Sequence, residues 1–117
     1  MEMRQPWRPF AIALLALASI EVSAADFTAG KRLFDRHCAE CHAPGAGHPG
    51  TQQLGWTRGA DRAVLEQRSD LPAAYISVIV RNGLLEMPGF RPTEIDDAQL
   101  KQLADYLARP RKSRKVR

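Results

Sequence analysis

Apolar residues recur at three- and four-residue steps in three parts of the chain, and this pattern predicts three helices. The first helix begins near residue 26, and its apolar repeat consists of Gly30, Leu33, Phe34 and Cys38. The second covers residues 71–81, where Asp70 is placed to cap the helix, Pro72 lies in its first turn and the Asn-Gly pair at 82–83 ends it.

The third predicted helix has the clearest boundaries. Asp96 stands at the capping position and Gln99 follows three residues later, which is typical of a capping box. Pro110 ends the helix. Its apolar face consists of Leu100, Leu103, Ala104 and Leu107, with Tyr106 beside them. The segment between the first two helices is too long for an ordinary loop, and we expect a short helix at 60–67 within it. The fold class is therefore predicted to be all-α.

The first 25 residues have the layout of a secretory signal peptide. Arg4 and Arg8 precede an apolar run at 10–20, and small residues at 22–25 offer a cleavage site. An uncleaved membrane anchor is the alternative, but the run has only about half of the roughly 20 apolar residues that cross a bilayer. We therefore expect a signal peptide at residues 1–25, a single domain at 26–108, and a periplasmic protein without a stable membrane anchor after processing.

The net charge of +4 has its origin at the C-terminus. Six of the 17 lysines and arginines lie in the last nine positions, 109–117, together with Pro110. Such a run of like charge predicts a disordered, solvated tail more readily than a docking arm. No aromatic residue interrupts it, which argues against binding of nucleic acid.

Both cysteines of the chain lie in the run CAECH at 38–42. A pair with this spacing could form a disulfide or a thioredoxin-like dithiol, but a thioredoxin-like site needs a strand before Cys38, where the pattern here is helical. Two intervening residues let both thiols reach the two vinyl groups on one edge of a porphyrin, and the next residue then directs its imidazole at the iron. We therefore predict one covalent haem c, attached through Cys38 and Cys41, with His42 as an iron ligand.

The second iron ligand is predicted to be Met87, the only methionine after residue 25. Pro88 biases Met87 toward an extended backbone and Gly89 relaxes the chain beyond it, so the loop can lay a thioether across a flat ring. Met87 as a core filler is one alternative. The other is ligation by His48, expected near the side of His42, or by His37, expected to face solvent. A Met–His pair favours ferrous iron and thus a fairly positive reduction potential.

Other side chains are candidates to hold the haem propionates. Arg58, Arg81 and Arg91 could each pair with a propionate, or could be surface residues. Trp56 could pack on or donate to a propionate, or could fill the core of its loop.

The chain resembles the class I cytochromes c over most of its length. The positions that carry this resemblance are Gly30, Phe34, Cys38, Leu103 and Tyr106. The resemblance implies three to five helices wrapped around one haem, with the N- and C-terminal helices crossing where Gly30 permits a close approach. It also implies that the carbonyl group of Pro49 accepts a hydrogen bond from the imidazole of His42.

A narrower resemblance is carried by LPAAYI at 71–76, IVRNG at 79–83 and MPGF at 87–90. These segments are similar to the small cytochrome subunit of p-cresol methylhydroxylase and eugenol hydroxylase. The resemblance implies a flavoprotein partner that oxidises 4-alkylphenols and passes single electrons to the haem, which gives them to a downstream acceptor. The chain would then be an electron-transfer subunit with no catalysis of its own.

Two other functions stay open from the sequence. A free carrier that delivers electrons to a respiratory oxidase would rely on a ring of charges. A haem peroxidase or ligand sensor would need an open sixth position on the iron. A docked subunit would present an apolar patch, for which Leu84, Leu85 and Phe90 are candidates, although they could equally pack the haem pocket.

Overall fold

The computed structural model describes residues 24–109. They form five α-helices: α1 Ala24–His37, α2 Ala39–His42, α3 Pro49–Arg58, α4 Ala73–Asn82 and α5 Asp97–Ala108. Two single turns of 3₁₀-helix lie between α3 and α4, at Ala60–Arg62 and Leu65–Gln67. Within the described residues there is no strand, so the predicted all-α class is confirmed. Most of the predicted signal peptide and residues 110–117 of the predicted tail lie outside this range.

The first and last helices cross at Gly30. A Cβ atom on Gly30 would lie 2.4 Å from Cβ of Tyr106 and 2.5 Å from the backbone oxygen of Gln102, so only glycine permits this approach. Phe34, one turn further along α1, is buried, and its ring centroid lies 6.3 Å from that of Tyr106. The predicted crossing of the terminal helices is therefore confirmed.

The hydrophobic core lies between α1, α4 and α5. Ile95 and Leu103 are fully buried at its centre. The complete set of buried apolar side chains is Phe34, Leu71, Ile76, Val80, Ile95, Leu100, Leu103, Ala104, Tyr106 and Leu107. The apolar stripes of α1 and α4 both face α5, and Leu71 and Ile95 complete the core from the segments that precede α4 and α5.

Helix α5 begins as predicted. The Asp96 carboxylate accepts a hydrogen bond from the backbone N–H of Gln99 at 2.8 Å, and the Gln99 side-chain oxygen accepts one from the backbone N–H of Asp96 at 2.9 Å. This reciprocal pair satisfies two N–H groups that the helix itself cannot bond.

Helix α4 begins two residues later than predicted. Its N-cap is Pro72, and no side chain caps it. The predicted cap, Asp70, instead accepts two hydrogen bonds from Arg68 at 2.8 and 2.9 Å. The predicted end is confirmed, because Gly83 adopts a φ of 74° and donates its N–H to Ile79 at 2.8 Å.

The segment between α2 and α4 differs most from the prediction. Helix α3 was not expected, and the single helix expected at 60–67 is replaced by the two 3₁₀ turns. Thr51 is the only buried residue of α3, and its hydroxyl donates to the carbonyl of Ala43 at 2.9 Å. A helix with one buried side chain lacks the apolar periodicity from which helices are predicted.

The folded domain includes Arg109, which was predicted to belong to the disordered tail. Its guanidinium carbon lies 4.2 Å from the ring centroid of Phe27 and 4.1 Å from that of Tyr106. Contacts of a cation with two aromatic faces hold this side chain against α1 and α5. Across residues 24–109, no helix has both the length and the apolar character needed to cross a membrane.

Candidate haem site

The CAECH run lies at the junction of α1 and α2. The backbone N–H of Cys38 donates to Phe34 at 2.8 Å, and that of His42 donates to Cys38 at 2.9 Å, so the run continues the helical course of α1. The two cysteines are free thiols: Cys38 is partly buried against the core and Cys41 is exposed. Burial, with the neighbouring Cys41 as a smaller cause, raises the pKa of the Cys38 thiol to about 12. A thioredoxin-like site would need the opposite shift, so this environment does not suit a redox-active dithiol.

The imidazole of His42 is held as a neutral group. Burial lowers the pKa of His42, so the ring is in the form that binds metals. Its Nδ1 atom is buried and has no hydrogen-bond partner among residues 24–109. A Cβ atom on Gly50 would lie 2.6 Å from Cε1 and 2.8 Å from Nδ1 of this ring. The first turn of α3 thus packs directly on the imidazole, which only a glycine at position 50 allows.

The predicted hydrogen bond from His42 to the Pro49 carbonyl is not formed. Pro49 is the first residue of α3, where a carbonyl group points along the helix axis and serves as an acceptor within the helix. Contact with the ring is made by Gly50 instead. His48 precedes the helix, and its Nδ1 lies 2.8 Å from the carbonyl oxygen of Glu40 on α2. His48 is therefore tied to the helix that carries His42, near the side expected for it.

Met87 lies in a tight turn after α4. Leu84 and Met87 exchange two backbone hydrogen bonds of 3.0 Å. Leu85, at the tip of the turn, has a φ of 52° and is 89% exposed. The side chain of Met87 is half-buried and packs against the same hydrophobic core as Cys38. The predicted ligand Met87 and the attachment residue Cys38 thus both contact this core.

Two glycines and an arginine fix the loop around Met87. A Cβ atom on Gly83 would lie 2.5 Å from the Met87 carbonyl oxygen, and one on Gly89 would lie 2.5 Å from that of Arg81. Nη1 of Arg81 donates to the carbonyls of Phe90 and Ile95 at 3.1 and 2.7 Å. These close contacts hold both ends of the loop against α4.

Arg81, a predicted propionate partner, has hydrogen-bond partners within the protein. Besides the two carbonyl contacts of Nη1, its Nη2 donates to Asp97 at 2.7 Å, so both terminal nitrogens bond to protein groups that join α4 to α5. Arg91 also has a partner within the protein, since its Nε atom lies 3.5 Å from the Glu94 carboxylate on the surface. Trp56 is 81% exposed and therefore does not fill the core of its loop. Its predicted contact with the cofactor stays a prediction.

A cavity of about 330 Å³ lies between α3 and α4. Among its lining residues are three arginines and one carboxylate, Arg58, Arg62, Arg68 and Asp70. Arg58 was a candidate from the sequence, whereas Arg62 and Arg68 were missed. The available signal was the Arg-x-Asp spacing at 68–70, which fits a paired arginine better than a helix cap at Asp70.

Known proteins of similar sequence agree with this geometry. The family model described as cytochrome C oxidase, cbb3-type, subunit III, matches residues 25–107. The chain belongs to this cytochrome c family. Its cofactor is haem c and its role is electron transfer, as predicted from the CAECH run. The two thiols, the neutral imidazole and the half-buried thioether against the core fit that cofactor.

Two relatives point to a particular kind of cytochrome within this family. The chain is 39% identical over 95 residues to the cytochrome c subunit of 4-cresol dehydrogenase [hydroxylating] from Pseudomonas putida, a match that covers 81% of this chain and 72% of that subunit. It is also similar to a chain in the crystal structure of p-cresol methylhydroxylase with substrate bound. That match has a TM-score of 0.51 and 38% identity, and it covers 74% of this chain and 99% of the other. The predicted resemblance to this group is confirmed.

Proposed function

We propose that this cytochrome acts in the periplasm as the electron-accepting subunit of a flavin-dependent dehydrogenase that oxidises 4-alkylphenols. The observation that carries the proposal is the likeness to the 4-cresol dehydrogenase cytochrome subunit, which extends over 81% of the chain. The signal-peptide layout of residues 1–25 supports export.

Four side chains hold the haem in this proposal. Cys38 and Cys41 would attach it through thioether bonds, and His42 and Met87 would bind its iron. When bound, the haem supplies one reversible one-electron couple. The backbone of Gly50 packs closely on the His42 ring and so restricts its rotation. Any larger residue at position 50 would overlap Cε1 and Nδ1. Met87 contributes a soft, neutral sulfur, which favours the ferrous state and so favours acceptance of an electron.

The surface beside Met87 supports docking to a partner over free diffusion. Leu84 is 47% exposed and Leu85 is 89% exposed, and both lie in the turn that presents Met87. Tyr75, which lines the same cavity as Leu84, is 48% exposed. Apolar side chains of this size on one surface mark a protein interface. Phe90 is half-buried and packs on the core, so it does not belong to this patch.

The decisive experiment is isolation of the native protein from the periplasmic fraction through a C-terminal tag. We expect a flavin-containing polypeptide to co-elute in stoichiometric amount. Anaerobic addition of a 4-alkylphenol should then reduce the haem, seen as the ferrous α-band in the visible spectrum. A monomeric cytochrome without bound flavoprotein, whose haem stays ferric after the phenol is added, would overturn the proposal and favour the free carrier.

The apolar patch provides a matched pair of variants for the same experiment. Leu85→Asp places a charge at the tip of the turn and should release the flavoprotein during purification. Thr57→Asp adds the same charge to an exposed position on α3 and should leave the complex intact. Equal loss of the partner in both variants would assign the interface to another surface.

A further inference from the structure

The start of α3 is tied to α2 by two side chains. The Thr51 hydroxyl donates to the carbonyl of Ala43, the residue that follows α2, at 2.9 Å. Nδ1 of His48 lies 2.8 Å from the carbonyl oxygen of Glu40 within α2. Because α2 has only four residues and is too short to be stable by itself, these contacts and its junction with α1 fix its position.

Thr51 makes its contact in the interior of the protein. Among the non-aromatic polar side chains of residues 24–109, it alone is buried. A buried hydroxyl is costly unless it is hydrogen-bonded, so the bond to Ala43 favours a single arrangement of the two elements. Thr57, further along α3, is exposed and donates to the carbonyl of Gln53 within its own helix at 2.8 Å. Thr51 thus differs from it in bonding to a different element.

Gly50 lies between these two side chains and against the His42 ring. A Cβ atom on Gly50 would lie 2.6 Å from Cε1 and 2.8 Å from Nδ1 of the ring. An imidazole that binds a metal is usually oriented by a hydrogen bond from its other nitrogen. Nδ1 of His42 has no such partner within residues 24–109. The orientation of this ring therefore depends on how closely α3 is held to α2.

We propose that Thr51 is a positioning residue for the iron ligand His42. Its hydroxyl fixes the separation of α2 and α3, and the backbone of Gly50 then holds the imidazole in one plane. The proposal rests on His42 as an iron ligand and assigns its orientation to a side chain that bonds to the backbone of α2 and not to the ring. A ring held in this way rearranges little when the iron gains or loses an electron, which suits an electron carrier.

The test is proton NMR of the ferric holoprotein. The plane of an axial imidazole determines which iron orbital holds the unpaired electron, so the pattern of haem methyl shifts reports the orientation of the ring. Thr51→Val has nearly the same volume but leaves the Ala43 carbonyl without its donor, and it should change this pattern. It should also speed hydrogen exchange at the backbone N–H of Gln52, which closes the first turn of α3, by about tenfold. Thr51→Ser keeps the hydroxyl and should retain both the pattern and the slow exchange.

Thr57→Val is the matched control, because it removes a hydroxyl that bonds to a carbonyl from an exposed position of the same helix. It should leave the haem methyl shifts unchanged. An unchanged pattern in Thr51→Val, or the same change in Thr51→Ser and Thr51→Val, would overturn the proposal. If Thr51→Val yields no holoprotein, Thr51→Ala removes the hydroxyl without placing an apolar group against the carbonyl, and it is compared with Thr51→Ser in the same way.

A failure of ligation by His42 has a different signature from a failure of its positioning. His42→Ala should lose the low-spin spectrum of the wild type. Retention of that spectrum would refute ligation by His42 and its positioning together. Loss of that spectrum, combined with an unchanged methyl pattern in Thr51→Val, would refute the positioning alone.

Discussion

Gly30→Ala should destabilise the protein, although alanine is the better helix former. The added Cβ would lie 2.4 Å from Cβ of Tyr106 and 2.5 Å from the backbone oxygen of Gln102, so α1 and α5 must move apart. Overpacking of this kind costs about 1–3 kcal/mol. The gain in helix propensity returns about 1 kcal/mol. Because the clash involves backbone and not the end of a flexible side chain, we expect the upper part of the range and a net loss of about 2 kcal/mol.

The assay is reversible unfolding of the holoprotein in guanidinium chloride and by heat, followed by far-ultraviolet circular dichroism. A loss of this size lowers the Tm by about 8–16 °C in a domain of this length. Gly55→Ala is the matched control, because Gly55 lies within α3 and its added Cβ would meet only Ala63 Cβ at an ordinary 3.5 Å. It should be neutral or stabilise by up to about 1 kcal/mol. Equal stability of the two variants would refute the close crossing at Gly30.

Three further outcomes are expected. Met87→Ala should abolish the weak far-red absorption of the ferric haem and open the iron to small ligands such as imidazole; an unchanged low-spin spectrum would assign the sixth ligand to another residue. Asp96→Ala removes the cap of α5 and should lower the free energy of unfolding by about 1 kcal/mol in guanidinium titrations. Asp105→Ala removes only the exposed ion pair with Lys101 and should lower it by about 0.5 kcal/mol or less. Hydrogen bonds from Arg68 hold the pKa of Asp70 below its usual value, so their contribution to stability is complete above the unfolded pKa of about 3.9 and is lost as the pH falls through the folded value. The difference in unfolding free energy between wild type and Asp70→Asn should therefore shrink in acid, and a difference that does not depend on pH would contradict this origin.

The sequence predicts those parts of the fold that rest on local patterns. Helices α1 and α5 have apolar faces of helical period, and the Asp96–Gln99 capping box places the start of α5 correctly. The crossing at Gly30, by contrast, was expected from the resemblance to class I cytochromes c and not from a local pattern. The CAECH run predicted the haem from its spacing, and Met87 is predicted as an iron ligand because it is the only methionine after residue 25 and lies in a Met-Pro-Gly loop.

Other features depend on contacts that are distant in the chain or that compete with local signals. Asp70 looks like a helix cap until Arg68 is seen to take both of its carboxylate oxygens. Arg109 looks like part of a charged tail until Phe27 and Tyr106, which are far apart in sequence, provide two rings for it. At Asp70 the competing partner, Arg68, lies only two residues away, whereas at Arg109 one of the two rings, Phe27, is distant in the sequence and cannot be inferred from the neighbouring residues.

Helix α3 was missed for a different reason, which also bears on how the haem is held. From residue 39 to residue 70, Thr51 is the only buried side chain, whereas α1, α4 and α5 supply nearly all of the apolar core. A segment of this length without a core of its own needs another apolar surface to pack on, and we expect the covalently attached haem to provide that surface. The same segment carries the His42 ring, Gly50 against it and the arginines of the cavity. A change in this part of the chain should therefore alter haem binding and local stability together.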